Sequence, residues 1–196
     1  MRSLFESRAI ASLLGAGALY AMAAVVFGAS MLACNTDIAA PPTPPPPMMR
    51  FTATCSPPTA NSVSLQLNVE SSSTLTVDVV ATEVTDLASV YFDLAFRPDV
   101  LSFSSASEGA FMRTAGGAVE FVVTEDRTGS GDGRIVVGVA IVPATIGANG
   151  SGVIGSFTFS RESAGSTFLS FEASGATDSA GDRNGVSFCS GSVFVT

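Results

Sequence analysis

The side chains that carry most enzyme chemistry are missing from this chain. Its 196 residues include no histidine, lysine or tryptophan. That excludes a Ser-His-Asp or Cys-His nucleophile, a lysine Schiff base and a histidine-ligated metal centre. What is left for chemistry is carboxylates, hydroxyls and three cysteines, Cys34, Cys55 and Cys189. Carboxylates can work as a glycosidase-type pair or as oxygen ligands to calcium. Two turns concentrate them: EDRTGSGDGR, with Glu125, Asp126 and Asp132, and TDSAGDRNG, with Asp178, Asp182 and Asn184. Neither has the spacing of an EF-hand, so the sequence predicts solvated turns and no cofactor. Asp93 with a loop acid is the one conceivable catalytic pair, and no motif converges on it, so no enzyme is expected.

Two further motifs carry little. GSGVIG, residues 150–155, matches the Gly-x-Gly-x-x-Gly dinucleotide pattern but leads into a strand pattern, which leaves no helix N-terminus to hold a phosphate. Asn149-Gly150-Ser151 has the form of a glycosylation sequon and reads as a turn. Nine basic residues, all arginine, oppose 17 acids for a net charge of −8, or −9 once Arg2, Arg8 and Glu6 are set aside. That charge argues against nucleic acid as a partner.

The elements that must position these residues are strands. From Val63 onward, apolar and polar residues alternate with period two, and Gly, Ser, Asn and Asp interrupt them every eight to fifteen residues. VSLQLNV places Val63, Leu65, Leu67 and Val69 on one face, and LTVDVVATEV places Leu75, Val77 and Val79 likewise. SVYFDLAF buries Val90, Phe92, Leu94 and Phe96 and turns Tyr91, Asp93 and Ala95 outward, while AVEFVVTED buries Val119, Phe121 and Val123. RIVVGVAIV is apolar on both faces, which predicts a central or covered strand. With GVIGSFTFS, STFLSFEA, GVSF and GSVFV there are about nine strand candidates and no convincing helix among them. The expected class is all-β, an antiparallel two-sheet sandwich around one core.

The first 54 residues read differently. Met1 to Ile10 carries Arg2 and Arg8 against Glu6, and residues 9–33 run without a charge. This predicts an export signal helix over 1–33 that delivers the rest of the chain across a membrane. Ser30-Met31-Leu32-Ala33-Cys34 resembles the lipobox of bacterial lipoproteins, with Met31 where that family has leucine. The resemblance implies a lipidated Cys34 and a cell-surface or outer-membrane location. The other open reading keeps residues 9–33 as an uncleaved membrane anchor, since about 20 apolar residues span a bilayer. AAPPTPPPPMM then predicts an extended stalk, because proline fixes φ and lacks an amide hydrogen. The expected organisation is a signal or anchor over 1–33, a lipidated N-terminus and linker over 34–54, and a sandwich over 55–196. With Cys34 acylated, Cys55 and Cys189 are left as an even pair in an oxidising compartment, either disulfide-bonded or two small buried hydrophobes.

Three stretches carry a second resemblance: TDLASVYFDLAFRPDVLSFSSASEGAFM, GRIVVGVAIV, and GSGVIGSFTFSRESAGSTFLSFEASGATDSAGDRNG. Their order and spacing are similar to those of the cohesin family over about residues 62–196. The resemblance implies a jelly-roll sandwich that binds a dockerin through a flat face including the SVYFDLAF strand. An Asn-x-Asp pair often begins that strand in cohesins; here the places hold Ser89 and Tyr91, and Arg97 stands where an Asp usually precedes the proline. Read from the residues alone, Tyr91 and Asp93 project from one strand face, and Tyr is favoured where partners dock. Ser89, Tyr91 and Asp93 are therefore the candidate partner-binding residues, and a protein is the expected partner. The alternative is a polysaccharide, a class usually held on exposed aromatic rings; with no Trp and only Tyr20 and Tyr91, that role would fall to exposed Phe. The lipid reading is checked by growing cells on labelled palmitate: the full chain is expected to incorporate label, and Cys34→Ser to lose it completely.

Overall fold

The computed structural model describes residues 43, 45–126 and 131–196. The expected signal helix, Cys34, and Pro41, Pro42 and Pro44 of the proline tract lie outside the described residues. Residues 43 and 45–47 are exposed and carry no regular structure. Eleven strands follow among the described residues: β1 Met49–Ala53, β2 Ser62–Glu70, β3 Thr74–Leu87, β4 Ser89–Phe96, β5 Leu101–Glu108, β6 Ala118–Asp126, β7 Gly133–Val142, β8 Ala148–Arg161, β9 Gly165–Thr177, β10 Ser187–Cys189 and β11 Gly191–Val195. They form a six-stranded sheet, β1-β11-β9-β4-β7-β6, and a five-stranded sheet, β10-β2-β3-β8-β5. Every pairing is antiparallel except that of β10 with β2, which run parallel. The fold is an all-β jelly-roll sandwich.

Alternation explains the layering. Val90, Phe92, Leu94 and Phe96 of β4 and Ile135, Val137, Val139 and Ile141 of β7 point inward from one sheet. Val63, Leu65, Leu75, Val77, Val79, Phe157 and Phe159 answer from the other. Phenylalanine rings join the layers edge to face: Phe92 meets Phe157 at 6.0 Å, and Phe96 meets Phe159 at 5.3 Å. Phe171 extends the line, 5.0 Å from Phe92 and 5.4 Å from Phe188. Such pairs each add about 0.5–1.5 kcal/mol beyond the burial of their area. Arg97 ends β4, its carbonyl accepting from the amides of Val100 (3.1 Å) and Leu101 (3.0 Å) across Pro98, and both those side chains return to the core.

Several expectations need correction. Two strands were not foreseen, β1 and β5. The first lies inside the segment assigned to the linker, so the sheet begins at Met49 and not after residue 54; Met49 and Phe51 alternate inward, but five residues after a proline run give little pattern. The serine-rich β5 pairs with β8 at a sheet edge, where a polar outer face suffices. Leu67 and Val69, expected in the core, are exposed: β2 is buried only from Ser62 to Leu65, its second half runs out past the core, and a bulge follows between Leu67 and Val69. Val119, Phe121 and Val123 pack against the core only half-buried, since β6 is an edge. β7 lies inside its sheet, yet Val136 and Val142 stay exposed, so among the described residues nothing covers its outer face.

The chain ends close the sandwich. β1 pairs with β11, and the amide of Thr196 donates to the carbonyl of Met48 at 3.0 Å. Cys55 and Cys189 form a disulfide with Cα atoms 5.8 Å apart, across 134 positions of sequence. Both lie where the chain crosses from one sheet to the other: Cys55 between β1 and β2, and Cys189 as the last residue of β10, just before β11. The bond therefore ties together the two corners that hold the layers in register. The chain-entropy model assigns a closed loop of this length about 5 kcal/mol as an upper value. Urea unfolding of the full chain is expected to show the Cys55→Ser/Cys189→Ser variant several kcal/mol less stable than wild type; unchanged stability would contradict the closing role.

Candidate functional site

The outer face of the six-stranded sheet is built by the residues left over when β4, β6, β7, β9, β11 and β1 turn their alternate side chains inward. Its register can be read row by row. Ser89, Tyr91, Asp93 and Ala95 descend β4; beside them on β7 lie Ala140, Gly138, Val136 and Arg134. Thr177, Gly175, Glu172 and Ser170 lie beside them on β9. Below that, Arg97 sits next to β9, its backbone amide donating to Thr167 Oγ1 at 2.8 Å. Phe168 of β9 then faces Ser192 of β11, which faces Thr52 of β1.

The three sequence-predicted residues occupy one strand and one face, and they differ in what they offer. Tyr91 is 45% exposed. A Cβ placed on Gly175 would come within 2.4 Å of the Tyr91 hydroxyl, so the ring lies across bare glycine backbone. That contact fixes the ring while leaving its other face to solvent, and a tyrosine held this way loses little further entropy on binding. Ser89 is half-buried, and its hydroxyl is shared with Thr177 Oγ1 at 2.7 Å. Asp93 has only 14% of its side chain exposed and pairs with Arg134 at 3.2 Å. The same guanidinium reaches Glu172 at 3.5 Å. One arginine thus bridges two carboxylates across three strands, a solvent-facing arrangement that contributes little stability. It neutralises the acid that the sequence offered as a contact.

Other features of this face were not singled out from sequence. Val122 is 59% exposed, and with Val136 and Tyr91 it gives the upper half an apolar floor around Gly138. At the opposite end Phe168 is 74% and Phe194 56% exposed. A signal for the second was present, because Val193 and Val195 buried in GSVFV oblige Phe194 to face outward.

The remaining motifs have structural work. Asp178 Oδ1 accepts from the amides of Ala180 (3.0 Å) and Asp182 (2.9 Å), and Asn184 Nδ2 donates to the Thr85 carbonyl at 2.9 Å. Among the described residues, no group of three or more His, Cys, Asp or Glu side chains is placed to hold a metal ion. Residues 127–130 of the other acidic turn lie outside the described residues. The Gly150 to Gly155 motif lies within β8, where Gly152 makes room for Phe111 and Gly155 for Phe121. Asn149 Oδ1 accepts from the Asp86 amide at 3.0 Å, and its Nδ2 donates to the Gly147 carbonyl at 3.0 Å. Asp86, which the sequence did not mark, joins two loops at the Ser89 end: it accepts from Ser179 Oγ at 2.8 Å and from the Gly147 amide at 2.7 Å. Those hydrogen bonds, Ser179's first, hold its carboxyl below the usual carboxylate range.

No family model matches the chain, and no curated protein matches it. Solved structures do. A type II cohesin domain from the cellulosome of Acetivibrio cellulolyticus is 15% identical, covering 69% of this chain and 95% of that one, with a TM-score of 0.50. The sixth cohesin of scaffoldin B from the same organism, in complex with a mutant dockerin, is 15% identical over 66% and 95% of the two chains, with a TM-score of 0.50. A type II cohesin–X-dockerin complex of that organism gives 10% identity, 65% and 92% coverage, and a TM-score of 0.53. At such identities the likeness is one of fold: the β-sandwich of this chain has the cohesin fold.

Proposed function

We propose that this chain is a non-catalytic binding module held at the cell surface, and that the outer face of its six-stranded sheet docks a protein of the dockerin kind. The observation that carries the reading is Tyr91, a half-exposed ring laid on Gly175 above an apolar floor of Val122 and Val136. A pre-set aromatic anchor amid small and apolar residues, with charges paired at the margin, is the composition expected of a docking surface. Support also comes from the solved cohesins of the same fold that are complexed with dockerins. This chain departs from a cohesin by sequence resemblance in having Tyr91 at an acidic position, and Asp93 is already engaged by Arg134. Recognition therefore rests on apolar contact and shape more than on a fixed charge.

The surface location rests on the export signal expected over residues 1–33 and on the expected lipidation of Cys34, which would hold the domain on a short stalk. At about 3.1 Å per residue an extended PPTPPPP would reach some 20 Å, which would keep the domain near its membrane.

The docking reading is checked with full-length chain in mild detergent passed over immobilised dockerin modules. Saturable binding is expected, weakened at least about tenfold by Tyr91→Ala, a loss in the range of interface hot spots. Absence of binding to every dockerin tested, or binding indifferent to Tyr91→Ala, would overturn the dockerin reading.

A further inference from the structure

The other end of the same face carries chemistry that protein docking at Tyr91 does not use. A cleft of about 410 Å³ opens where β4 gives way to the Arg97 turn, bounded by Phe168, Arg97, Asp132, Ser170, Glu172 and Ser192. Its far wall, Arg97, lies six residues along the strand direction from Tyr91, or about 20 Å at ~3.4 Å per residue, and its near wall, Glu172, lies beside Asp93. We infer that this cleft binds a neutral polysaccharide, with Phe168 as the stacking platform.

Phe168 is the most exposed of the large apolar side chains among the described residues, at 74%. Its neighbours Thr167 and Leu169 are buried, so the strand register fixes the ring outward. The β9–β11 pairing puts Phe194 diagonally beside it, a second outward ring within reach of one extended ligand. A sugar ring presents a C–H face to an aromatic surface and a rim of hydroxyls that both donate and accept. The cleft meets both demands. Ser170 and Ser192 flank the ring with hydroxyls, Glu172 and Asp132 add acceptors, and Arg97 adds donors. Arg97 is oriented in advance by its ion pair with Asp99 and a 3.4 Å hydrogen bond to the Ser166 carbonyl. Ordered polar groups around one apolar surface are what fix a ligand's orientation.

The row that crosses the strands here, Arg97 to Phe168 to Ser192 to Thr52, covers four strands, about 14 Å at ~4.8 Å spacing. That length suits several consecutive sugar units more than a single small molecule. Charge favours a neutral glycan: around the cleft Arg97, Arg134 and Arg50 balance Glu172, Asp132 and Asp99, which leaves no positive field to hold a uronic-acid polymer, and the chain as a whole is acidic.

Native affinity electrophoresis of the full-length chain in non-ionic detergent tests this, with gels containing mixed-linkage β-glucan, arabinoxylan or galactomannan, and polygalacturonate as the charged comparison. Retarded migration is expected in at least one neutral gel. Phe168→Ala is expected to weaken it at least tenfold, Phe168→Trp to keep or strengthen it, and Tyr91→Ala to leave it unchanged. Because Phe168 lies outside the core, the alanine variant should keep its disulfide and circular dichroism, which separates lost binding from lost folding. Retardation by no neutral polysaccharide, by polygalacturonate alone, or undiminished in Phe168→Ala would overturn the inference. Failure of Tyr91→Ala to affect the dockerin assay would leave this result untouched.

Discussion

The edge-to-face contact of Phe92 with Phe157 is the point at which the two sheets become one body. Each sheet alone would leave an apolar face in water, and stacked sheets can share an interior only about 10 Å thick. Rings of this size fill that gap from both sides, and the line from Phe157 through Phe92 and Phe171 to Phe188 runs from β8 of the five-stranded sheet to its β10 edge. Period-two alternation follows as a requirement. A one-residue slip of β4 would send Phe92 to solvent and Tyr91 into the core. The disulfide and the β1–β11 pairing act at the margin of this arrangement, holding the crossing corners so that the interior cannot open at one end.

Because the interior claims every second residue, the outward residues are free to differ, and there the two ends of the six-stranded sheet part company. The Ser89 end is braced by Asp86, which gathers the loops around Gly147 and Ser179, and carries Tyr91 over glycine. The chain-terminal end carries exposed Phe168 and Phe194 among hydroxyls and charges. Between them, Arg134 ties Asp93 to Glu172. One sheet face thus presents two unlike surfaces, an apolar anchor at one end and a cleft lined by hydroxyls and charges at the other.

Sequence made the layering legible wherever both periodicity and length were sufficient: β4 was placed with its correct inward set, and β7, read as central or covered, lies inside its sheet. It failed where pattern was overridden by position. Leu67 and Val69 alternate as core residues, but the second half of β2 runs out past the core and leaves them in water. β1 was hidden by the prolines before it, although Met49 and Phe51 had the right spacing. On the site, Tyr91 could be placed outward from its neighbours alone. The neutralisation of Asp93 could not, because Arg134 is 41 positions distant and is brought alongside only by the β4–β7 register. Asp86 was equally invisible, since its partners come from two separate loops.

The central claim is that the outer face of the six-stranded sheet is where a macromolecular partner sits. Tyrosine chemistry reads this directly, since Tyr91 is the one tyrosine beyond Tyr20. Nitration of the full chain, followed by peptide mapping, should modify Tyr91 readily in the purified protein and several-fold less on intact cells where the partner is present. Equal modification of Tyr91 in both settings, with the partner demonstrably bound, would contradict the account.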